Sequence, residues 1–168
     1  TALLVGYGSS TVAKQTLTFS GTVALTVSGA INVGTPGSST KPGYLIFTSG
    51  ATVTAGSLSL NRNTKTLART EVTKSTLDMS GGGKLVTGSL AVSGAATDAD
   101  AEWRPGAGTV ELNADNTLPA THFTSFNNLI ITNGTITTTL STPLAIVSNL
   151  VLGATAVMNL GTYASSAN

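Results

Sequence analysis

Short segments with alternating apolar residues recur along most of the chain, and this repetition is the feature that most constrains the fold. The first three copies are Thr16–Val33, Tyr44–Leu60 and Thr76–Val92. Their Ser-Gly landmarks end at Gly21, Gly50 and Gly81 and therefore recur at nearly equal intervals. Alternation with a period of two indicates strands with one buried face. A fixed period between about 20 and 50 residues is typical of solenoids and related arrays.

The repetition continues towards the C-terminus with closer spacing. A fourth copy starts at Thr109–Leu112, and Phe126–Leu160 adds apolar pairs separated by turn-forming residues such as Asn133-Gly134. Within the first copy, Ser20-Gly21 and Ser28-Gly29 predict tight turns that divide the segment into three strands. No copy carries the spacing of an amphipathic helix.

These patterns predict an all-β fold. We expect a parallel β-helix (β-solenoid) with coils of about 30 residues, because each copy preserves the same succession of strands and turns. The alternative is a β-sandwich or jelly roll, in which the same short strands pair antiparallel. We predict that residues 1–10 form an N-terminal apolar strand and hinge, and that residues 11–168 form a single β domain.

Composition excludes several classes of function. The 168 residues include only 9% charged residues and carry a net charge of +1, so the chain lacks the basic surface that nucleic acids select. The absence of cysteine excludes disulfides and cysteine-ligated metals. No segment approaches the ~20 apolar residues of a transmembrane helix. Because the sequence begins at Thr1 without Met, we expect a mature secreted protein.

The N-terminal segment is a candidate for assembly. Ala2–Val5 is apolar on both faces, and Gly6–Ser10 follows as a flexible joint. The strand either packs on its own core or is donated to a neighbouring subunit by strand addition. The residues predicted to take part in assembly, at both ends of the chain, are Ala2, Leu3, Leu4, Val5, Tyr7, Val157, Leu160 and Tyr163.

Candidate sites for chemistry are few, and we predict neither an enzyme nor a cofactor. The single histidine, His122, has Ser125 and Asp115 nearby in sequence, but no nucleophile motif accompanies them. The acidic run Asp98, Asp100 and Glu102 is a weak candidate for a Ca²⁺ site, because it lacks the spacing of a known calcium loop.

Two further features suggest ligand contacts. Trp103 is a candidate for stacking on a sugar, although a lone tryptophan also commonly fills a hydrophobic gap. Thr-x-Thr runs such as Thr52–Thr54 and Thr135–Thr139 are similar to ice-binding arrays, but their spacing along the chain is irregular and threonine is a good strand former.

Four segments carry a family resemblance: GTVALTVSGAINV, SGGGKLVTGSLAV, GAGTVELN and FNNLIITNGTITTTLSTPLAIVSNLVLGATAVMNLG. They resemble the repeat regions of secreted bacterial β-helix proteins, especially large surface proteins of the Bacteroidetes type. The resemblance covers most of Thr16–Leu160 and implies an extracellular, cell-surface protein built by coil stacking.

The combined prediction is a non-enzymatic extracellular structural protein, the subunit of a surface filament. Because a solenoid leaves unpaired backbone at its ends, we expect identical subunits to join head to tail by β-strand addition. The alternative is a monomeric adhesin that binds polysaccharide, with a polysaccharide lyase and an ice-binding protein as weaker alternatives.

Overall fold

The computed structural model describes residues 1–6, 14–35, 42–61, 74–93, 101–119, 121–138 and 144–160. Of the candidate site residues above, Tyr7, Asp98, Asp100 and Tyr163 lie outside this set, as do Thr139 and residues 7–10 of the predicted hinge. Of the described residues, 67% are in strands and none is in a helix, so the chain is all-β as predicted.

Fifteen strands occur in the described part of the chain. They are β1 (Leu3–Val5), β2 (Gln15–Phe19), β3 (Ala24–Val33), β4 (Gly43–Thr48), β5 (Thr52–Asn61), β6 (Ser75–Gly81), β7 (Lys84–Thr87), β8 (Leu90–Ser93), β9 (Ala101–Arg104), β10 (Thr109–Leu112), β11 (Asn116–Leu118), β12 (Ser125–Ile131), β13 (Thr135–Thr138), β14 (Ala145–Leu152) and β15 (Val157–Asn159).

The strands form three parallel sheets. The first has the order β1-β3-β5-β7-β10-β12-β14, with β8 also beside β5; the second is β2-β4-β6-β9, and the third is β11-β13-β15. Antiparallel pairs, which a jelly roll requires, do not occur among the described strands.

Paired residues in the first sheet form continuous rows that run from one edge to the other. We call two of them inner rows. Inner row one is Leu25, Val53, Leu85, Val110, Leu129 and Leu150, and inner row two is Val27, Ala55, Thr87, Leu112, Ile131 and Leu152. Adjacent members of a row are separated by more residues in the N-terminal half of the chain than in the C-terminal half. The predicted repeat spacing therefore holds for the early copies and shortens later.

The middle members of both inner rows are buried, with at most 4% of their surface exposed. The second sheet contributes Leu45, Phe47 and Leu77, all fully buried, to the same apolar cluster. Burial of each such side chain favours folding by about 1.5–3 kcal/mol. The parallel rows thus place one continuous core between the sheets.

One predicted turn is wrong. Ser28-Gly29 does not end a strand, because β3 continues from Ala24 to Val33 with only a register shift between Val27 and Ala30. Glycine is required there by a close approach, since a Cβ on Gly29 would collide with the carbonyl oxygen of Thr1. The sequence signal therefore marks a bend within a strand at which neighbouring backbones meet.

The N-terminal strand pairs within its own chain. In β1, Leu3 and Val5 lie beside Ile31 and Val33 of β3. The Gly34 amide donates to the Val5 carbonyl at 2.7 Å, and Val5 is only 4% exposed. The sequence left two alternatives for this strand, and in the structure it packs on the core of its own chain. Of the predicted hinge, the structure describes only Gly6, which has φ 91°.

Candidate assembly surfaces

The edges of the sheets are the candidate functional sites. Among the described strands, β14 is paired only with β12, and β15 only with β13. At the opposite end, β2 is paired only with β4, and the first half of β3 only with β5. Each of these strands therefore has one side whose backbone groups face no described strand, which makes it a template for further pairing.

The C-terminal edge exposes apolar side chains that continue the core. Leu150 and Leu152 are the last members of the two inner rows, and they are 44% and 49% exposed, whereas their neighbours Leu129 and Ile131 are fully buried. Val157 and Leu160, both predicted assembly residues, are 48% and 56% exposed. The C-terminal end surface consists of Leu150, Leu152, Val157, Met158 and Leu160.

The N-terminal edge is the counterpart. Leu25 and Val27 begin the inner rows and are only partly buried, unlike Val53 and Ala55 beside them. Of the predicted assembly residues, Ala2 is exposed, Leu3 is partly buried and Leu4 is 43% exposed, while Val5 is buried. The N-terminal end surface consists of Leu3, Leu4, Leu17, Leu25 and Val27.

Exposed apolar residues concentrate at these two edges. The exposed large hydrophobic residues among those described fall into two groups, one near the N-terminus and one near the C-terminus. The first group is Leu4 and Val23, and the second is Val147, Leu150, Val151, Leu152, Val157 and Leu160. Sequence reasoning missed Leu25, Val27, Leu150 and Leu152, because within the repeat they look like any other core residue. Only the order of the strands shows that they are the terminal members of their rows.

Charged residues avoid both end surfaces. Among the described residues, 15–35 and 144–160 contain no Asp, Glu, Lys or Arg, and the charged residues other than Lys14 lie between Lys74 and Asp115. Edge strands of soluble proteins commonly carry lysine or another charge that prevents association with a second sheet. The strands of the two end surfaces, β2, β3, β14 and β15, contain no such charge.

A polar cluster lies on the outer face of the second sheet, which we call the Tyr44 cluster. The Tyr44 hydroxyl donates to Asp78 Oδ2 at 2.6 Å, and Arg104 contacts Asp78 at 3.5 Å and Glu102 at 2.9 Å. Lys14 Nζ lies 4.1 Å from the centre of the Tyr44 ring. These contacts tie the carboxylates into ion pairs and hydrogen bonds across three strands, which indicates a structural role.

The environment shifts two pKa values in this cluster. Burial opposes ionisation of Asp78, but hydrogen bonds from Tyr44 and Ser80 and the charge of Arg104 together hold its pKa below the ordinary value of 3.8. The hydrogen bond to Asp78, together with burial, raises the pKa of Tyr44 above 10.0. The pair is therefore held as carboxylate and neutral phenol at neutral pH.

Replacing Asp78 with asparagine is expected to lower the free energy of unfolding at pH 7 by about 1–3 kcal/mol, because hydrogen bonds to a charged acceptor are lost. A depressed pKa stabilises the fold above pH 3.8, and this stabilisation is lost as the pH falls through the lower folded value. The variant should therefore lose stability less steeply than the parent below pH 3.8. Urea unfolding monitored by circular dichroism at several pH values measures both effects.

The matched control is Glu111→Gln, which removes a partly exposed ion pair with Lys84 (2.7 Å) and should change stability by less than about 1 kcal/mol. Equal stability of Asp78→Asn and the parent at neutral and at acid pH would contradict the structural role of the Tyr44 cluster.

Trp103 is used for packing in the structure. Its ring lies 5.5 Å from Phe123 and 5.7 Å from Phe126, measured between ring centres, and both phenylalanines are fully buried. Its indole Nε1 donates to the Ser125 carbonyl oxygen at 2.6 Å. Its single donor and part of its ring are thus directed into the protein, and the partly buried Trp103 fills a hydrophobic gap.

The candidate chemical residues each contact a different neighbour. Glu102 of the acidic run contacts Arg104, and the described residues contain no group of three potential metal ligands. His122 is buried, with Nδ1 3.0 Å from the Thr121 hydroxyl. Asp115 Oδ1 accepts a hydrogen bond from the Thr135 amide at 2.7 Å.

No described helix has the length and apolarity needed to cross a bilayer.

Threonines do not form a regular array on the outer face of the first sheet. One outer row reads Ala24, Thr52, Lys84, Thr109, Asn128 and Asn149, and the next reads Thr26, Thr54, Val86, Glu111, Ile130 and Val151. The Lys84–Glu111 ion pair interrupts both rows. Neither of these outer rows is therefore a continuous row of threonines.

A shallow polar groove lies on the third sheet. It has a volume of about 290 Å³ and is lined by Asp115, Asn116, Thr117, Thr135 and Thr137. A carboxylate and several hydroxyls offer hydrogen bonds to a polar ligand, but no aromatic residue is present among these lining residues for stacking.

Comparison with family models, with curated proteins and with solved structures finds no match to this chain. The resemblance to bacterial surface proteins therefore stays a prediction from the sequence.

Proposed function

We propose that the chain is a β-solenoid and a non-enzymatic structural protein, whose copies join head to tail into an extracellular filament. The observation that carries the proposal is the pair of end surfaces. Both are apolar and free of charged side chains, and both lie on strands that have a described neighbour on one side only.

The solenoid architecture accounts for the order of pairing. One passage of the chain consists of β2, the first half of β3 and the second half of β3. The next passage consists of β4 and the two halves of β5, so that β4 lies beside β2 and β5 lies beside β3. Later passages break the long strand into separate pieces, such as β7 and β8. One passage through three segments is one coil, and successive coils stack in parallel.

Parallel stacking gives the molecule two different ends. Because all strands in a sheet run in the same direction, a second copy that is moved along the stacking direction presents its N-terminal edge to the C-terminal edge of the first with parallel pairing preserved. The two surfaces differ in sequence, so the contact is heterologous, and such contacts form open polymers when they do not close into rings.

Apolar surface at the edges supplies the driving force. Joining two copies would bury the half-exposed Leu150 and Leu152 of one against the second, and each leucine buried in this way favours association by up to about 1.5–3 kcal/mol. Backbone hydrogen bonds between edge strands add generic affinity. The Tyr44 cluster supports a structural rather than catalytic role, because its carboxylates are engaged in ion pairs.

Negative-stain electron microscopy and sedimentation of the purified chain over a range of concentrations test the proposal. We expect unbranched filaments one subunit wide, which appear above a critical concentration. Monodisperse monomers at all concentrations would overturn it. Glycan binding by such a monomer would instead support the adhesin alternative, for which the groove beside Asp115 and Thr137 is the structural basis.

A further inference from the structure

We propose that Asn133-Gly134 is a site of spontaneous deamidation, at which the folded chain favours conversion of Asn133 to aspartate and isoaspartate. The pair lies between β12 and β13, and Asn133 is exposed. It is the only asparagine in the sequence that is followed by glycine. In such a pair the backbone nitrogen of the glycine attacks the asparagine side chain, and no side chain on the glycine hinders the approach.

The structure holds the two reacting groups together. The Gly134 backbone nitrogen lies 2.9 Å from Asn133 Oδ1 and donates its hydrogen to that atom. The carbon under attack, Cγ, is bonded to Oδ1 at about 1.2 Å, so a small rotation of the side chain brings Cγ to the nitrogen. Reacting groups that are held this close react faster than the same groups in a flexible chain.

Thr155 provides a donor for the charge that develops during the attack. Its hydroxyl donates to Asn133 Oδ1 at 3.1 Å. When the nitrogen bonds to Cγ, negative charge accumulates on Oδ1, and a donor already directed at this oxygen stabilises the transition state. Because Thr155 lies in the turn between β14 and β15, only folding brings this donor to Asn133.

The surrounding backbone fixes the position of Gly134. Its φ is +86°, and a Cβ at this position would lie 2.6 Å from backbone atoms of Ala114 and Asp115. Its carbonyl oxygen accepts a hydrogen bond from the Val157 amide at 3.0 Å. Gly134 is thus held between the turn that precedes β11 and the start of β15.

The reaction requires only hydroxide and water, to which the exposed Asn133 side chain has access. Hydroxide removes the proton from the Gly134 nitrogen, the nitrogen bonds to Cγ, and the bond between Cγ and Nδ2 breaks. Nδ2 takes a proton from water and leaves as ammonia, which restores the hydroxide and leaves a cyclic succinimide. Addition of water to either carbonyl of the ring opens it to aspartate or isoaspartate.

Isoaspartate would loosen the C-terminal end surface, a consequence that rests on the proposed filament. In isoaspartate the main chain passes through the former side chain, which adds a methylene before Gly134. The Gly134 carbonyl is the acceptor for the amide of Val157, the first residue of β15. A shift of this carbonyl therefore weakens the attachment of β15, which carries part of the end surface.

Peptide mass spectrometry during prolonged incubation of the folded chain tests the site. We expect the mass gain of an amide converted to an acid at Asn133, together with a separately eluting isoaspartate form of the same peptide. Asn113 and Asn149 serve as internal controls, because both are exposed but neither precedes glycine. The rate should rise with pH, since hydroxide removes the proton from the attacking nitrogen.

Variants of Thr155 test the contribution of the fold. Thr155→Val removes the donor to Oδ1 and should slow the reaction about 5-fold, the effect of one hydrogen bond on a barrier. Thr155→Ser keeps a hydroxyl and should restore most of the parent rate. Unfolding in urea also removes this donor and should slow the reaction at Asn133 to a similar extent.

An equal or faster reaction in Thr155→Val or in urea would overturn the proposal, because the fold would then not assist the attack. Absence of product at Asn133, or equal product at Asn113, would overturn it as well. Mass analysis does not depend on assembly, so deamidation of Asn133 in a chain that stays monomeric would support the site and leave only the filament overturned. In a polymerising sample, we expect isoaspartate to be enriched in the supernatant after pelleting; equal shares in pellet and supernatant would overturn the effect on the end surface alone.

Discussion

Replacing Leu150 and Leu152 with lysine is expected to abolish filament growth and leave a folded monomer. Both leucines end inner rows and are about half exposed in the single molecule, so long lysine side chains can extend into solvent there. In a head-to-tail joint, the same lysines would lie against the apolar N-terminal edge of the second copy. Burial of two unpaired charges carries a penalty of several kcal/mol.

The expected size is an increase in the critical concentration of at least about 100-fold, which corresponds to about 2.7 kcal/mol. Pelleting and light scattering measure the critical concentration, and circular dichroism verifies that the monomer is folded. The matched control is Val151→Lys on the same strand, where the side chain is on the outer face and 50% exposed. Filaments that form from the double variant at the parent concentration would contradict the assignment of this edge.

Replacing the partly buried Trp103 with alanine is expected to lower the free energy of unfolding by about 3 kcal/mol, the lower end of the range for loss of a large aromatic side chain from a core. The change removes the packing against Phe123 and Phe126 and the hydrogen bond to the Ser125 carbonyl. Urea unfolding should be measured in the Leu150→Lys, Leu152→Lys background, because polymerisation would otherwise add to the apparent stability.

The conservative variant Trp103→Phe retains most of the ring contact and loses only the indole donor, so it should recover roughly half of the lost stability or more. If Trp103→Ala unfolded at the same urea concentration as its parent but lost binding to a glycan, the residue would be a ligand contact, and the packing role would be wrong.

Sequence reasoning identified the strands well, since alternation directly reflects which side chains point to the core. Leu45 and Leu77 illustrate this: each lies in an alternating segment of one of the first three copies, and each is fully buried. It failed at Ser28-Gly29, where a Ser-Gly pair that elsewhere marks a turn lies within β3. Local turn chemistry cannot distinguish a chain reversal from a bend at which a neighbouring backbone comes close.

The candidate site was predictable only in part. The segment around Leu4 stood out as apolar on both faces, and Val157 and Leu160 stood out near the C-terminus. The sequence did not mark the terminal members of the inner rows as edge residues, because Leu150 resembles the buried Leu129 in its sequence context. Trp103 was ambiguous for a similar reason, since the aromatic rings that it contacts belong to a later segment of the chain, one just before β12 and one within it.

The sequence by itself determined the strand content, the inward or outward direction of most side chains and the scarcity of charge. These properties follow from residue type and from the period of two along the backbone. The tertiary structure alone decided which strands are neighbours, that Leu3–Val5 pairs with Ile31–Val33, and which leucines are left half exposed at the edges. The physical reason is that side-chain alternation is the same in every strand, whereas neighbours and edges depend on contacts between segments that are distant in the sequence.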